Sequence, residues 1–380
     1  MIFDYPTLKL IWWLFIGGLV IGFALSDGFD LGAEMLLPFL GKTDDERRII
    51  INAVGFFHEG NLTWLVTLGG TLLAVWPAVY ALAFSGFYYA MILTLFTFFL
   101  RPVGFHYRSK HDNLRWRSCW DWALFAGGLV PALIFGIMFG NLLQGVPFSF
   151  DRDMRSNYGG SFVDLLNPFA LLIGLVSIAM LVMHGAVYLQ RKTSGAIPAR
   201  AQRAVLISGA VFIAGFICAG IWSIYAIDGY RIISMPPLDM EARPLDKVAM
   251  KETGAWLLNY QRYPWLWLIP ALSVIGTFIA MAASAAQRPA IAFISTSAVL
   301  TCAIFTAAAA MFPFIMPSST HPSHSLTVWD AVSSQHSLMN MFWAMVILMP
   351  VILAYTAWTF RVLRGKVTAE SIHADEHNSY

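Results

Sequence analysis

The feature that most constrains this chain is a series of apolar segments, most of them about 20 residues or longer. They lie at about residues 8–27, 50–76, 80–100, 119–142, 163–190, 204–227, 264–286, 290–314 and 337–360. About 20 apolar residues span the hydrocarbon layer as a helix, which satisfies its own backbone groups there. Only 12% of residues are charged, against roughly a quarter in soluble domains. The sequence therefore predicts an all-α, polytopic membrane protein with about nine transmembrane helices.

The connections and their charges predict the topology. Residues 228–263 are long, polar and interrupted by prolines, so we expect an extramembrane loop there. Of the 24 lysine and arginine residues, 16 lie on one side of the predicted membrane. Cytoplasmic loops carry this excess, which places the N-terminus in the periplasm and the C-terminus in the cytoplasm. We interpret residues 1–380 as a single integral-membrane domain.

One predicted helix carries a carboxylate at membrane depth. Counting 1.5 Å per residue from residue 49 puts Glu59 roughly 13–15 Å inside the bilayer. An acidic side chain there costs about 2.5–3.5 kcal/mol, and such residues typically mark proton or ion paths. Asn52, Glu59, Thr63 and Thr67 share one helical face in this prediction. The pattern favours a proton relay, with a purely structural carboxyl group as the alternative.

Charged residues also gather at the predicted cytoplasmic ends of three helices. Asp27 and Asp30 follow the first helix, Arg101 ends the third, and Asp121 begins the fourth. An arginine between carboxylates forms a directed pair in a medium of low dielectric. We interpret Asp30, Arg101 and Asp121 as a structural charge cluster. The alternative is a proton entrance, for which Asp27 is a candidate.

Haem ligation deserves a test because Met180 and His184 are four residues apart in one predicted helix. Only His58 and His184 lie clearly at membrane depth, so histidine pairs for two six-coordinate haems cannot be assembled. We expect no metal site and no nucleic-acid partner. Aromatic clusters at helix ends fit an interfacial belt, with a quinone pocket as the alternative.

Several sequence blocks resemble subunit II of the bacterial cytochrome bd quinol oxidases, including their cyanide-insensitive relatives. The resemblance covers nearly the whole chain. Its blocks are "DGFDLG" (27–32), "DDERRIIINAVG" (44–55), "EGN" (59–61), "FSGFYYAMIL" (84–93), "RPVGFHYRSK" (101–110), "WDWALF" (120–125), "FGNLLQGVPF" (139–148), "GAWLLN" (254–259), "MFPFIMPSST" (311–320) and "SLTVWDAVSSQ" (325–335).

This resemblance implies two four-helix bundles plus one peripheral helix, with the first bundle at about residues 1–142 and the remaining helices at about 163–360. It implies a haem-bearing partner, subunit I, which holds haems b558, b595 and d, and no haem in this chain. It also admits a small single-helix third subunit and a structural quinone or lipid. The implied complex lies in the bacterial inner membrane. There it oxidises ubiquinol, reduces dioxygen to water and takes its protons from the cytoplasm.

On the same resemblance, Glu59 matches an acidic residue proposed to lie on the family's proton path. Asp30, Arg101 and Asp121 match a charged cluster near the cytoplasmic surface. This chain has Phe57 and His58 where the family usually has His-Trp. His58 therefore either adds a titratable group to the path or fills the space of an aromatic ring. A secondary transporter with a midmembrane carboxylate is the alternative function.

Overall fold

The computed structural model describes residues 3–374 and 380, and it is built almost entirely of helices. Eight helices in this part of the chain are long and apolar enough to cross a membrane: α1, α5, α6, α7, α8, α10, α11 and α12. The α-helices are α1 (Tyr5–Leu40), α2 (Asp44–Val54), α3 (His58–Val75), α4 (Pro77–Gly86), α5 (Tyr88–Tyr107), α6 (Leu114–Gln144), α7 (Pro168–Lys192), α8 (Ile197–Tyr225), α9 (Leu258–Arg262), α10 (Leu268–Ala285), α11 (Pro289–Met311), α12 (Gln335–Val362) and α13 (Ala369–Ala374).

The helices pack in two groups of four, as the resemblance implies. Helices α1, α3, α5 and α6 form the first group, and α7, α8, α10 and α11 form the second. Helix α12 touches α1 and α3 and is largely exposed, so it is the peripheral helix. The groups meet where α1 and α6 both pack against α7.

Helix α1 crosses α7 at very short range because both helices carry glycine at the crossing. A Cβ atom on Gly32 would collide with the carbonyl oxygen of Leu181, and one on Gly185 would collide with the backbone of Gly32. Small residues are what allow transmembrane backbones to approach this closely. Gly18 lies on the same helix and has open space beside it.

The first helix is longer than predicted. It was expected to end near residue 27, with Asp27 and Asp30 beyond it, but α1 continues to Leu40 and has 36 residues. Asp27, Asp30 and Glu34 therefore lie on neighbouring turns of one helix and are all buried. Asn61 of α3 and Arg101 of α5 bind these three carboxyl groups inside the bundle.

The predicted second span, residues 50–76, is interrupted. Thr43 and Glu46 form a capping box at the start of α2, which ends at Val54, and α3 begins at His58. Gly55 lies in the break with the ring of Tyr380 against it, where a Cβ atom would come within 2.7 Å of that ring. Helix α3 has 18 residues but is absent from the eight apolar helices, since its first turn is polar.

In the described residues, three antiparallel hairpins lie at the end of the bundle where α1 begins. We call residues 145–167, 226–267 and 312–334 the hairpin lobe. The strands are β1 (Phe148–Phe150) with β2 (Ser156–Tyr158), β3 (Asp228–Ser234) with β4 (Val248–Thr253), and β5 (Phe314–Met316) with β6 (Leu326–Thr327). The polar loop predicted at 228–263 is the second of these hairpins together with α9. Lys9 of α1 ties the lobe to the bundle, since its Nζ donates to the carbonyl oxygens of Leu238 at 3.0 Å and Trp329 at 2.8 Å.

Two further basic groups lie in the hairpin lobe, where Lys247 is buried and His324 is half-buried. Lys247 forms an ion pair with Asp330 at 2.9 Å, and burial lowers the pKa of its ammonium group. His324 accepts a hydrogen bond on Nδ1 from the Phe150 backbone N–H at 3.0 Å. Burial, followed by the nearby His321 and Lys247, lowers the pKa of His324 below its ordinary value of 6.5.

Candidate functional site

Glu59 lies in the first turn of α3 with its side chain exposed on the surface of this chain. The sequence predicted a carboxylate at membrane depth but did not predict which way it faces, and the structure places it on the outer surface of this chain. Helical periodicity shows that a face is polar but not whether that face turns towards the same chain or a second one. In the part of the chain that the structure describes, no ion pair reaches this carboxylate.

The predicted polar stripe falls into two parts. Thr63 and Thr67 follow Glu59 along α3 and donate to backbone carbonyl oxygens one turn earlier, Thr63 to Glu59 at 3.2 Å and Thr67 to Thr63 at 2.9 Å. Asn52 is on α2, beyond the break, so it does not continue this face. Its amide donates to the Tyr380 carbonyl oxygen at 3.0 Å and accepts from the Tyr380 N–H at 2.9 Å.

His58 is buried beside Glu59, with 2% of its surface exposed. Its Nδ1 lies 2.7 Å from the Gly55 carbonyl oxygen, which can only accept a hydrogen bond, so we assign the ring proton to Nδ1. Nε2 is then a bare acceptor, and it is buried without a partner in the described chain. The ring packs on Phe105 of α5, with centroids 4.6 Å apart.

Arg101 of α5 is the centre of a buried ion-pair cluster. It binds Asp27 through two parallel hydrogen bonds of 2.8 and 3.0 Å, and its Nε donates to Glu34 at 2.8 Å. All three side chains are almost completely buried. The sequence predicted Asp27 and Arg101 at this end of the helices but missed Glu34. Its spacing of seven residues from Asp27, two helical turns, was the signal that could have found it.

Asp30 completes this cluster from the next turn of α1 but receives no hydrogen bond from Arg101. Its Oδ2 accepts from the Asn61 amide at 2.7 Å, and its Oδ1 is buried without a partner. Glu34 Oε2 is also buried without a hydrogen-bond partner. Asp27, Asp30, Glu34, Arg101 and Asn61 together are the Arg101 cluster, which joins α1, α3 and α5.

Asp121 belongs to a different cluster, which corrects the predicted grouping with Arg101. It accepts from Arg108 at 2.5 Å and from Arg47 at 2.7 Å, and Arg108 also binds Asp44 at 2.9 Å. Arg108 caps the C-terminal end of α5, seven residues and about 10 Å along the axis beyond Arg101. Asp121, two turns into α6, therefore meets Arg108, while Arg101 lies two turns deeper along α5.

His184 is fully buried in α7 and shows the features of a packed core histidine. Its Nδ1 is 2.8 Å from the Thr296 hydroxyl, its Nε2 is 3.3 Å from the Leu25 carbonyl oxygen, and its ring stacks on Phe293. Both ring nitrogens are engaged, so this side chain does not fit an iron ligand. Within residues 3–374 and 380, no group of three or more histidine, cysteine, aspartate or glutamate side chains is placed to hold a metal ion.

The chain is similar to several known proteins. Residues 8–363 match the family described as cytochrome bd terminal oxidase subunit II. The chain is 49% identical to the cytochrome bd-I ubiquinol oxidase subunit 2 of Escherichia coli (strain K12), over 99% of this chain and 100% of that protein. It is 47% identical, with the same coverage, to the probable cytochrome oxidase subunit 2 of Haemophilus influenzae.

A solved structure shares the fold. A chain of the bd oxidase from Geobacillus thermodenitrificans matches with a TM-score of 0.70 and 14% sequence identity, over 94% of this chain and 98% of that chain.

Proposed function

The chain belongs to the cytochrome bd terminal oxidase subunit II family, and on that premise we propose that it delivers protons from the cytoplasm to an oxygen-reducing partner through Glu59. It is a multi-pass protein of the bacterial inner membrane and part of a quinol oxidase complex. The family implies haems in a partner, subunit I. Membership leaves the transporter alternative without support.

The observation that carries the proposal is an acidic side chain on the outer surface of a helix in the membrane bundle. A carboxylate facing lipid costs about 2.5–3.5 kcal/mol at the helix centre, so intramembrane acids normally face protein or water. We therefore propose that the α3 face bearing Glu59, Thr63 and Thr67 packs against subunit I. Glu59 then lies at the interface, where a proton can pass between the chains.

In this proposal the two subunits have separate tasks. The haems of subunit I supply the electron transfer and the reduction of dioxygen, and ubiquinol is the reductant of the complex. This chain supports the assembly of subunit I and holds and moves protons. Its carboxyl and imidazole groups suit that task, because they exchange protons without changing oxidation state.

Orientation and domain structure are part of the proposal. The excess of lysine and arginine on one side favours a periplasmic N-terminus and a cytoplasmic C-terminus, with the hairpin lobe in the periplasm and the Arg101 cluster towards the cytoplasm. The described chain is proposed to act as one integral-membrane domain. Labelling of single cysteines introduced in the hairpin lobe of intact cells would test this, and protection of those cysteines would contradict it.

The direct test is Glu59→Gln in the complex purified with subunit I. We expect oxygen reduction and the linked proton uptake to fall roughly 100-fold or more, the usual size of an acid–base contribution, with haem content unchanged. Glu59→Asp keeps an acid and should retain most activity. Glu252→Gln, on an exposed strand of the hairpin lobe, is the matched control. Full turnover and full membrane potential in Glu59→Gln would reject the relay.

A further inference from the structure

The segment that follows α12 binds the end of α7, and we call residues 363–374 the strap. The Val367 N–H donates to the Lys192 carbonyl oxygen at 2.8 Å, and Val367 forms a parallel bridge with Thr193. Lys192 Nζ donates to the carbonyl oxygen of Leu363, the C-cap of α12. A cation at this position binds a carbonyl group that the helix leaves free and interacts favourably with the helix dipole. These contacts attach the end of α12 to the second helical group.

The strap continues as α13 (Ala369–Ala374), which packs against α2. Thr368 and Ser371 stabilise its start, because the N–H of each residue donates to the hydroxyl oxygen of the other, at 3.1 and 3.2 Å. A helix of six residues is marginal by itself, so docking on the bundle has to stabilise it. Ile372 provides the buried contact, with 3% of its surface exposed. The strap is thus anchored twice, on α7 through Val367 and near α2 through Ile372.

Helix α12 depends on these anchors at the end that leads into the strap. Its buried side chains in the described chain, Leu338 and Met339, lie near its start. From residue 351 to residue 362 its side chains are exposed or half-buried. Within this stretch the Phe360 ring stacks on Phe57, with centroids 4.6 Å apart and an angle of 12° between the planes. This aromatic stack and the strap therefore hold the end of α12.

The same aromatic stack lies at the start of α3. Phe57 directly precedes α3 and is 5% exposed, and no side chain of the described chain caps this helix end with a hydrogen bond. Lys192 Nζ lies 5.8 Å from the centre of the Phe57 ring, within range of a cation–π contact. Packing around Phe57 therefore decides the direction in which α3 leaves the break after α2. Phe360 and Lys192, which are both joined to the strap, take part in that packing.

We propose that the strap preorganises this chain for assembly. By holding α12 and the break between α2 and α3 against α7, it presents the α3 face to subunit I in one orientation. This inference rests on the docking of α3 on subunit I, which is part of the proposed function. A surface that is ordered before binding loses less conformational entropy when the partner docks, so it binds more tightly. Without the strap, docking would also have to order the break and the end of α12, and less complex would form.

Co-purification of subunit I with this chain tests the proposal. Ile372→Ser removes the buried anchor, and we expect about tenfold less subunit I to co-purify, because docking then has to order these segments. In the complex that remains, backbone hydrogen exchange of Phe57 and Asn61 should be about tenfold faster, with turnover per haem unchanged. Ile372→Val keeps the buried contact and should assemble normally. Lys366→Ser, at an exposed position of the strap, is the matched control and should change neither yield nor exchange.

An engineered disulfide separates loss of the anchor from general misfolding. Thr193→Cys together with Val367→Cys joins the two bridge partners, in a chain whose native cysteines have been replaced. In the Ile372→Ser variant, oxidation of this pair should restore the co-purification of subunit I, and a reductant should abolish it again.

Three results would each overturn the role of the strap. They are undiminished co-purification in Ile372→Ser, unchanged hydrogen exchange at the break, and a loss of complex that the oxidised disulfide does not restore. Normal assembly with full turnover in Glu59→Gln would instead reject the proposed proton delivery and leave the strap in place. The two failures are distinguishable, because the first concerns the yield of complex and the second the turnover per haem.

Discussion

Replacing Arg101 with glutamine tests how strongly the Arg101 cluster holds the first helical group together. The arginine makes three charge-assisted hydrogen bonds of 2.8 to 3.0 Å to Asp27 and Glu34, and none of the three side chains is more than 1% exposed. Removing one partner of a buried ion pair costs about 3–5 kcal/mol, because the other charge is left uncompensated. We expect Arg101→Gln to lower the free energy of unfolding by this amount.

The pairing can be separated from general disruption by a double-mutant cycle. Asp27→Asn removes one of the two carboxylates that glutamine would leave unpaired, so the double variant should be about 2–3 kcal/mol more stable than the sum of the single effects predicts. Arg101→Lys keeps the charge but cannot form the two parallel bonds, and we expect it to fall between the wild type and Arg101→Gln.

The assay is unfolding of the purified complex in mixed micelles of increasing denaturing-detergent content, followed by circular dichroism. Arg231→Gln is the control, because Arg231 pairs with Glu252 at 3.3 Å and both side chains are exposed, and an exposed ion pair contributes about 0–1 kcal/mol. A loss of less than 1 kcal/mol in Arg101→Gln, or strict additivity with Asp27→Asn, would refute the reasoning about buried charge.

Two further predictions concern other parts of the fold. The folded-state pKa of His324 is below its ordinary value of 6.5, so the unfolded chain binds more protons as the pH falls below about 6.5, and the stability of the hairpin lobe should decrease over that range. Proteolysis of the lobe should therefore become faster as the pH falls, and His324→Gln, which can still accept from Phe150, should reduce this dependence on pH. Gly32→Ala places a Cβ atom at the crossing of α1 and α7 and should lower the thermal unfolding midpoint by the equivalent of about 1–3 kcal/mol. Gly18→Ala, on the same helix but with open space beside it, should leave the midpoint unchanged. Equal midpoints for the two variants would contradict the close crossing.

The sequence predicts the membrane helices well, since each apolar run must form a helix to satisfy its backbone in lipid. The predicted segment 163–190 corresponds to α7 (Pro168–Lys192), and 204–227 lies largely within α8 (Ile197–Tyr225). The ends are less predictable where tertiary contacts decide them. An acidic run such as Asp27, Asp30 and Glu34 looks like the end of a helix until Arg101 and Asn61 are known to face it.

The candidate site was predictable in its residue types but not in its pairings. Charge at the ends of α1, α5 and α6 indicates ion pairs, yet depth along the helix axis decides that Asp121 meets Arg108 rather than Arg101. Likewise, the break between α2 and α3 separates Asn52 from Glu59, although their spacing fits one continuous helix. These outcomes depend on helix length and on contacts between distant segments, which spacing within one segment cannot reveal.

The length of α1 has a mechanical consequence. Its 36 residues reach about 54 Å, from the anchor of Lys9 in the hairpin lobe to beyond the Arg101 cluster, and it packs on members of both helical groups. Helix α1 is therefore shared by the two helical groups, and a tilt of one group moves the other with it. A displacement imposed where α3 docks on another subunit would therefore reach the second helical group through α1, which is one continuous helix from Tyr5 to Leu40.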